Sequence, residues 1–341
     1  MSAAEQLVDR FGRVHRDLRI SLTDRCSLRC TYCMPAEGVP WLQRSTMLTT
    51  DEIVDVARVG VGLGLSEIRL TGGEPLLRAD VVDVVRRLAA LEGPDGRHPE
   101  LSLTTNALRL PQLAEPLREA GLTRVNISLD TLDRARFAAL TRRDKLDQTL
   151  AGIAAAEGAG LAPIKINAVA MRGVNDDEVV DLTRFAIERG YQMRFIEQMP
   201  LDAGHTWDRV TMVTQAEILD RLTSAFTLTE VPGRGAAPAE LWYVDGGPAT
   251  VGVIASVSAP FCGACDRLRL TADGQLRSCL FARTETDVRA ILRAEPAPTG
   301  AARDEAVADA YRLCLAGKRP GHDIDDPAFL QPTRPMSAIG G

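Results

Sequence analysis

Apolar and polar positions along the first two-thirds of the chain alternate between two patterns. Strand-like segments lie at Leu18–Leu22, Glu67–Leu70, Leu101–Thr104, Arg124–Leu129, Ile164–Val169 and Met193–Glu197. Helix-like stretches separate them, near Thr50–Leu63, Ala79–Leu91, Pro111–Ala120, Asp147–Gly158 and Asp176–Arg189. Thr49 with Glu52 three residues on forms a capping box before the first helix. Six strands joined by helices predict parallel β/α units. Six units suit an incomplete barrel rather than the closed eight-stranded one.

In parallel sheets, ligands collect beyond the carboxyl ends of the strands. Five polar or unusual segments stand there: Thr71-Gly72-Gly73-Glu74-Pro75, Thr104-Thr105-Asn106, Ser128-Leu129-Asp130, Asn167 and Glu197-Gln198-Met199. Their coincidence on one rim predicts a site. From about Pro232 the pattern changes. Residues 232–248 read as a loop rich in Gly, Pro and Ala, followed by short β runs at Leu241–Val244, Thr250–Ser256, Arg267–Leu270 and Gln275–Ser278. Ala272-Asp273-Gly274 is a hairpin turn signal. Helices are predicted near Thr286–Ala294 and Arg303–Leu315, with a loop-like tail from Gly317. The expected organisation is therefore a barrel unit over 1–231 and a smaller α+β unit over 232–341.

Composition narrows the class. The 341 residues are 45% hydrophobic and 25% charged, ordinary for a globular chain, but only 4% aromatic. The core must then be mainly Ala, Leu, Val and Ile. No apolar run is long enough to span a membrane, and Met1–Gly12 has no secretion-signal pattern. A cytoplasmic protein without membrane partners is expected. A net charge of −6 speaks against nucleic acid as a partner. Lys145, Lys165 and Lys318 are the only lysines; 37 of the 40 basic residues are arginine, which GC-rich codon usage explains for most. An anionic ligand would then meet guanidinium forks, which suit phosphate oxygens.

Seven cysteines in such a chain make a poor disulfide framework. Cys26-x3-Cys30-x2-Cys33 follows the first strand. Three thiolates on a short loop can hold three corners of a 4Fe–4S cube and leave the fourth iron open. A structural zinc site wants four ligands. Cys262-x2-Cys265-x13-Cys279 supplies a second triad across a hairpin; zinc completed there by Cys314 or His322 is the alternative. Arg267 and Arg269 follow Cys265 at strand spacing, which sends both to one face. No G-x4-G-K-[ST] phosphate loop occurs, which excludes an ordinary P-loop GTPase.

The first triad, with Tyr32 before its last cysteine, resembles the radical S-adenosylmethionine superfamily. Leu70-Thr-Gly-Gly-Glu-Pro75, Cys262-Gly-Ala-Cys265-Asp-Arg-Leu-Arg-Leu-Thr-Ala-Asp-Gly274 and the terminal Gly340-Gly341 narrow the resemblance. From Arg19 to Gly341 the chain is similar to the GTP 3′,8-cyclase family, the molybdenum-cofactor biosynthesis protein A. The resemblance implies two 4Fe–4S clusters. S-adenosylmethionine would bind the open iron on Cys26, Cys30 and Cys33, with Tyr32, Gly72, Gly73, Ser128 and Met199 in contact. A second cluster on Cys262, Cys265 and Cys279 would bind the purine of GTP. Arg19, Arg69, Thr104, Lys165, Arg194, Arg267, Leu268 and Arg269 would surround the substrate. Arg19, Arg267, Arg269, Gly340 and Gly341 would serve catalysis. The implied reaction removes hydrogen from the ribose 3′ carbon with a deoxyadenosyl radical and closes that carbon onto C8 of guanine. The product would be 3′,8-cyclo-7,8-dihydro-GTP, in the first step of molybdenum cofactor biosynthesis. An external electron donor, a downstream cyclic pyranopterin monophosphate synthase and a homodimer belong to the same expectation.

Two positions depart from the family pattern. Ala107 stands where glycine is usual, and Glu240 where a basic residue is usual. Two other readings stay open: a peptide-modifying radical enzyme with an auxiliary cluster, and a non-catalytic iron–sulfur or zinc module. The rim of polar segments speaks against the second.

Overall fold

A computed structural model describes residues 6–326 and 329–340. In chain order the elements are β1 (Asp17–Ser21), α1 (Thr50–Gly62), β2 (Glu67–Thr71), α2 (Val81–Ala89), β3 (Glu100–Thr105), α3 (Leu110–Glu119), β4 (Arg124–Ser128), α4 (Arg134–Thr141), α5 (Leu146–Gly158), β5 (Lys165–Ala170), α6 (Val179–Glu188) and β6 (Gln192–Glu197). There follow α7 (Gln215–Thr223), β7 (Leu228–Glu230), β8 (Glu240–Val244), β9 (Thr250–Ile254), β10 (Arg267–Leu270), β11 (Gln275–Arg277), β12 (Thr286–Asp287), α8 (Val288–Leu292), α9 (Gly300–Ala316) and α10 (Met336–Ile339).

The six β/α strands lie side by side and parallel, β1 to β6 in sequence order, as the alternation predicts. The C-terminal strands join the same sheet at both edges. β10 pairs parallel with β1, and β9 pairs parallel with β6, so eight parallel strands run in one row. Antiparallel β11 and β12 extend one edge, and β8 and β7 the other, making twelve strands. The sheet is thus continuous across residue 231.

Alternation along each strand sorts the side chains. Leu18, Ile20, Ile68, Leu70, Leu101, Leu103, Leu268 and Leu270 are completely buried and belong to the main core, which the helices cover. The residues between them point the other way and are polar. In register, Arg269, Arg19, Arg69 and Ser102 stand opposite one another on β10, β1, β2 and β3. One row lower, Arg267, Asp17, Glu67 and Glu100 do the same. Most barrels fill this side with branched apolar residues; here it is charged.

Local signals account for the elements that the periodicity misses. α4 starts at Asp133, whose side chain accepts from the Arg136 N–H. α7 starts at a capping box formed by Thr214 and Glu217. The expected helix near Thr286–Ala294 is shorter, because Thr286 and Asp287 pair with β11 before α8 begins. The tail contains one helical turn, α10, where a loop is expected.

Candidate functional site

The first triad lies in the loop after β1, held under the carboxyl ends of β2 and β3. Gly73 N–H donates to the Thr23 carbonyl and Glu74 N–H to the Arg25 carbonyl, both at 2.7 Å. A Cβ at Gly73 would strike the carbonyl oxygens of Asp24 and Arg25, and one at Gly72 that of Thr23. The chain's own backbone therefore requires both glycines, Gly72 also through its φ of 145°. Buried Glu74 accepts from the Thr105 hydroxyl (2.7 Å) and the Asn106 N–H (2.8 Å). Asn106 in turn donates Nδ2–H to Cys26 Sγ at 3.8 Å, and Leu28 N–H donates to the same sulfur at 3.4 Å.

Burial pushes the Cys26 thiol up to about 11 and the Cys33 thiol to about 12, with Glu74 adding to the first and Cys26 to the second. Cys30 is also raised, by burial and by Asp130. These thiols are protonated at neutral pH until a metal displaces the proton. Tyr32 donates its hydroxyl to Asp130 at 2.8 Å, and Asp130 also accepts from the Val169 N–H at 2.9 Å. Burial raises Asp130 to about 6.

The second triad spans the loop before β10 and the turn after β11. Phe281 N–H donates to Cys279 Sγ at 3.4 Å, and the Lys318 ammonium reaches Cys265 Sγ at 3.8 Å. Arg13 donates to the Cys262 carbonyl at 2.7 Å and pairs with Asp9 at 2.6 Å. Burial would raise Cys265, but Arg267 and Lys318 outweigh it and hold the thiol below its usual value. Burial, with Cys279 beside it, raises Cys262 to about 11.

Zinc completed by His322 or Cys314 finds no support in this arrangement. His322 donates Nε2–H to the Ser256 carbonyl at 2.8 Å, and its Nδ1 accepts from the Ile324 N–H at 3.3 Å, so both ring nitrogens are engaged. Cys314 is buried in the core on α9. Among the described residues, no three His, Cys, Asp or Glu side chains gather around a single ion. A cube is held at separate corners, so its thiolates do not converge on one point. All seven cysteines are free, and both triads carry N–H···S donors. Such donors suit sulfur that bears cluster charge.

Both triads line one cavity, and the arginine row lies between them. Arg19, Arg69, Arg194, Arg267 and Arg269 all line it. Arg194 is oriented by Asn167 (3.0 Å) and Asn126 (2.8 Å), and Arg69 by Ser102 (3.2 Å). Buried Nε atoms of Arg19 and Arg267 have no hydrogen-bond partner among the described residues. Asp17 is the nearby carboxylate, 3.8 Å from Arg19. Burial and mutual repulsion lower Arg19, Arg69, Arg194 (to about 9) and Arg269 (to about 10). Like charges directly opposite on neighbouring strands are destabilising, and an anion placed here would relieve them. Arg267 stacks on Phe261 at 4.6 Å, with Arg234 on the same ring at 4.8 Å.

The other expected residues are placed as follows. Tyr32, Gly72, Gly73, Thr104, Ser128 and Met199 line the cavity. Leu268 does not: alternation turns it into the core, where it is completely buried. Lys165 also stays outside the lining, at the amino end of β5. Burial and repulsion by Arg194, Arg124 and Arg69 lower it to about 8. Gly340 lies against Thr71 and Ser21, with φ 80°, and its carbonyl accepts from Arg269. The N–H of Ser337, in the same turn, points at Cys33. Gly341 lies outside the described residues. Ala107 keeps the left-handed backbone of the usual glycine, φ 68°. Glu240 accepts from Gln215 at 2.5 Å. The periodicity and motifs miss Lys318, Arg13 and Phe261. The scarcity of lysine that singles out Lys165 applies equally to Lys318.

A family model described as the radical SAM superfamily matches residues 20–186, and one described as Molybdenum Cofactor Synthesis C matches residues 191–324. A protein of Streptomyces coelicolor named GTP 3′,8-cyclase is 56% identical over 341 residues, covering 99% of this chain and 97% of its own. A Mycobacterium tuberculosis protein named GTP 3′,8-cyclase 2 is 54% identical, covering 98% of this chain and 92% of its own. Among solved structures, Streptococcus suis SuiB bound to its precursor peptide SuiA aligns with a TM-score of 0.60 at 15% identity, over 91% of this chain and 68% of SuiB. That likeness concerns the fold. No helix among the described residues is long and apolar enough to cross a membrane.

Proposed function

The chain belongs to the GTP 3′,8-cyclase family of the radical S-adenosylmethionine superfamily, and from that premise we propose that its two cysteine triads and its arginine row bind S-adenosylmethionine and GTP in one cavity. It is a GTP 3′,8-cyclase, forming 3′,8-cyclo-7,8-dihydro-GTP in molybdenum cofactor biosynthesis. Its cofactors are two 4Fe–4S clusters and S-adenosylmethionine. When bound, these supply the one-electron chemistry that opens the reaction.

Cys26, Cys30 and Cys33 would hold the first cluster, with Tyr32, Gly72, Gly73, Ser128 and Met199 around S-adenosylmethionine. Cys262, Cys265 and Cys279 would hold the second, beside the purine. One observation carries the reading of the substrate: Arg269, Arg19 and Arg69 stand in register on three adjacent strands, inside the cavity that both triads line. A triphosphate would satisfy the unpartnered Nε–H of Arg19 and offset a repulsion that the nearby carboxylates meet only in part. Arg194, pinned by Asn126 and Asn167, adds a fourth guanidinium with little rotamer freedom left to lose. Lys165 would act on the triphosphate through its charge, at the amino end of β5. Leu268 could contribute only backbone atoms. Arg269, held by the Gly340 carbonyl, would place its remaining N–H groups toward charge developing on the nucleotide. Burial under the tail would exclude water from the reacting carbons.

An external electron donor, a downstream cyclic pyranopterin monophosphate synthase, a homodimer and a cytoplasmic setting complete the proposal. The relatives' identity over the full chain supports it over a peptide substrate, for which the likeness to SuiB offers only a shared fold.

The test is anaerobic incubation of reconstituted protein with GTP, S-adenosylmethionine and a reductant, with the product identified by mass. Arg267→Ala and Arg269→Ala should each retain both clusters and lose cyclisation by about a hundredfold or more. Iron loss in either variant would show that the arginines serve folding instead.

A further inference from the structure

The second triad is fastened from behind by a single buried ammonium. Lys318 follows α9 and is only 2% exposed. Its Nζ donates to the Arg267 carbonyl at 2.7 Å, to the Ser278 carbonyl at 2.9 Å and to Cys265 Sγ at 3.8 Å. These contacts use all three donors of an ammonium group. Arg267 is two residues past Cys265, and Ser278 directly precedes Cys279. One cation therefore joins the two arms of the triad that flank the β10–β11 hairpin.

A buried charge requires a counter-charge. Lys318 forms no ion pair with a carboxylate among the described residues; Cys265, Cys279 and, at longer range, Asp266 face it, while Arg13 and Arg267 repel it. A lysine that only tied two carbonyls together would do so at a desolvation cost that a neutral donor avoids. The side chain also lies on the far side of the triad. It lines a second cavity behind Cys262, Cys265 and Cys279, and is absent from the lining of the cavity with the arginine row. Its effect on the cysteines is thus separable from contact with the nucleotide, unlike that of Arg267.

We propose that Lys318 is a positioning residue for the second cluster, supplying the counter-charge of the Cys265 corner and setting that cluster's reduction potential. This rests on the second triad holding a 4Fe–4S cluster. A cation donating to a ligand sulfur stabilises the reduced, more negative state, and so raises the potential. The remaining donors on this triad include the Phe281 N–H to Cys279, which carries no net charge, and the Arg267 guanidinium, which meets Cys265 from the side of the nucleotide cavity.

The experiment is a redox titration, followed by EPR, of full-length reconstituted protein without substrate, alongside iron analysis. Lys318→Met and Lys318→Gln should shift the second cluster to a more negative potential and leave the first unchanged. Lys318→Arg should return the potential toward that of the parent. Should Met alone shed the cluster, Gln, which keeps an N–H donor without charge, decides by the same shift. An unchanged potential in a variant that retains its cluster overturns the proposal. So does loss of the second cluster from all three variants, Arg included, which would make Lys318 a purely structural clamp. A parent protein with no second EPR-active cluster overturns the cluster assignment itself, an outcome independent of the variants.

Discussion

His15 is completely buried beside Asp9, with its Nε2 at 3.0 Å from the carboxylate. Burial, with repulsion from Lys318, lowers its pKa to about 4 against the pull of Asp9. The folded protein thus keeps a neutral imidazole where the unfolded chain binds a proton below about 6.5. Its contribution to stability is complete above that pH and is lost as the pH falls toward 4. The loss amounts to about 3 kcal/mol. Thermal unfolding should show the midpoint falling across this window, and His15→Gln should flatten the dependence.

At the scale of elements, the junction between β2 and the first triad is the least forgiving. Gly73→Ala would drive a methyl group into the carbonyls of Asp24 and Arg25. The cost should be about 1–3 kcal/mol, and the displaced loop should release the first cluster while the second remains, as EPR of the two clusters can resolve. The sequence marked Gly72 and Gly73 as an unusual segment at a strand end, but their clash with the carbonyls of Thr23, Asp24 and Arg25 depends on tertiary packing and was not legible. The six β/α units were legible because strand-length runs and helical spacing are local signals. α7 also had its signal, the capping box of Thr214 and Glu217, which matches that of α1. What no local pattern contains is the pairing of β10 with β1 and of β9 with β6, since partners 200 and more residues apart in the first case are chosen by tertiary packing. The triads and the Arg267–Arg269 pair were legible by spacing. The row they form with Arg19 and Arg69 depends on strand register and was not.

Over the whole molecule, the C-terminal turn meets the first two strands at the site. Ile339 is completely buried with Leu201 and Phe281, and Met336 N–H donates to the Leu201 carbonyl at 3.0 Å. That anchoring carries Gly340 past Thr71 and Ser21 to Arg269. Deleting Gly340 and Gly341 leaves the anchor and both triads in place but removes an acceptor that orients Arg269. The truncated protein should keep its iron and its affinity for GTP, measured by equilibrium binding. Cyclisation should fall by about a hundredfold, the cost expected from misplacing a reacting group. Full turnover by the truncated chain would assign the last two residues no part in the reaction.

The pairing of β1 with β10 also bears on how the chain is made. β1 has a partner on one flank once β2 emerges from the ribosome, but its other flank stays open until Arg267–Leu270 have been synthesised. At synthesis rates of about 5–20 residues per second, that edge waits on the order of tens of seconds. An open, apolar edge invites pairing with a neighbouring nascent chain, and charged residues pointing inward along an edge discourage it. Asp17 and Arg19 are such residues. The guanidinium proposed to grip a triphosphate in the finished enzyme therefore guards, for most of synthesis, against aggregation of the unfinished one.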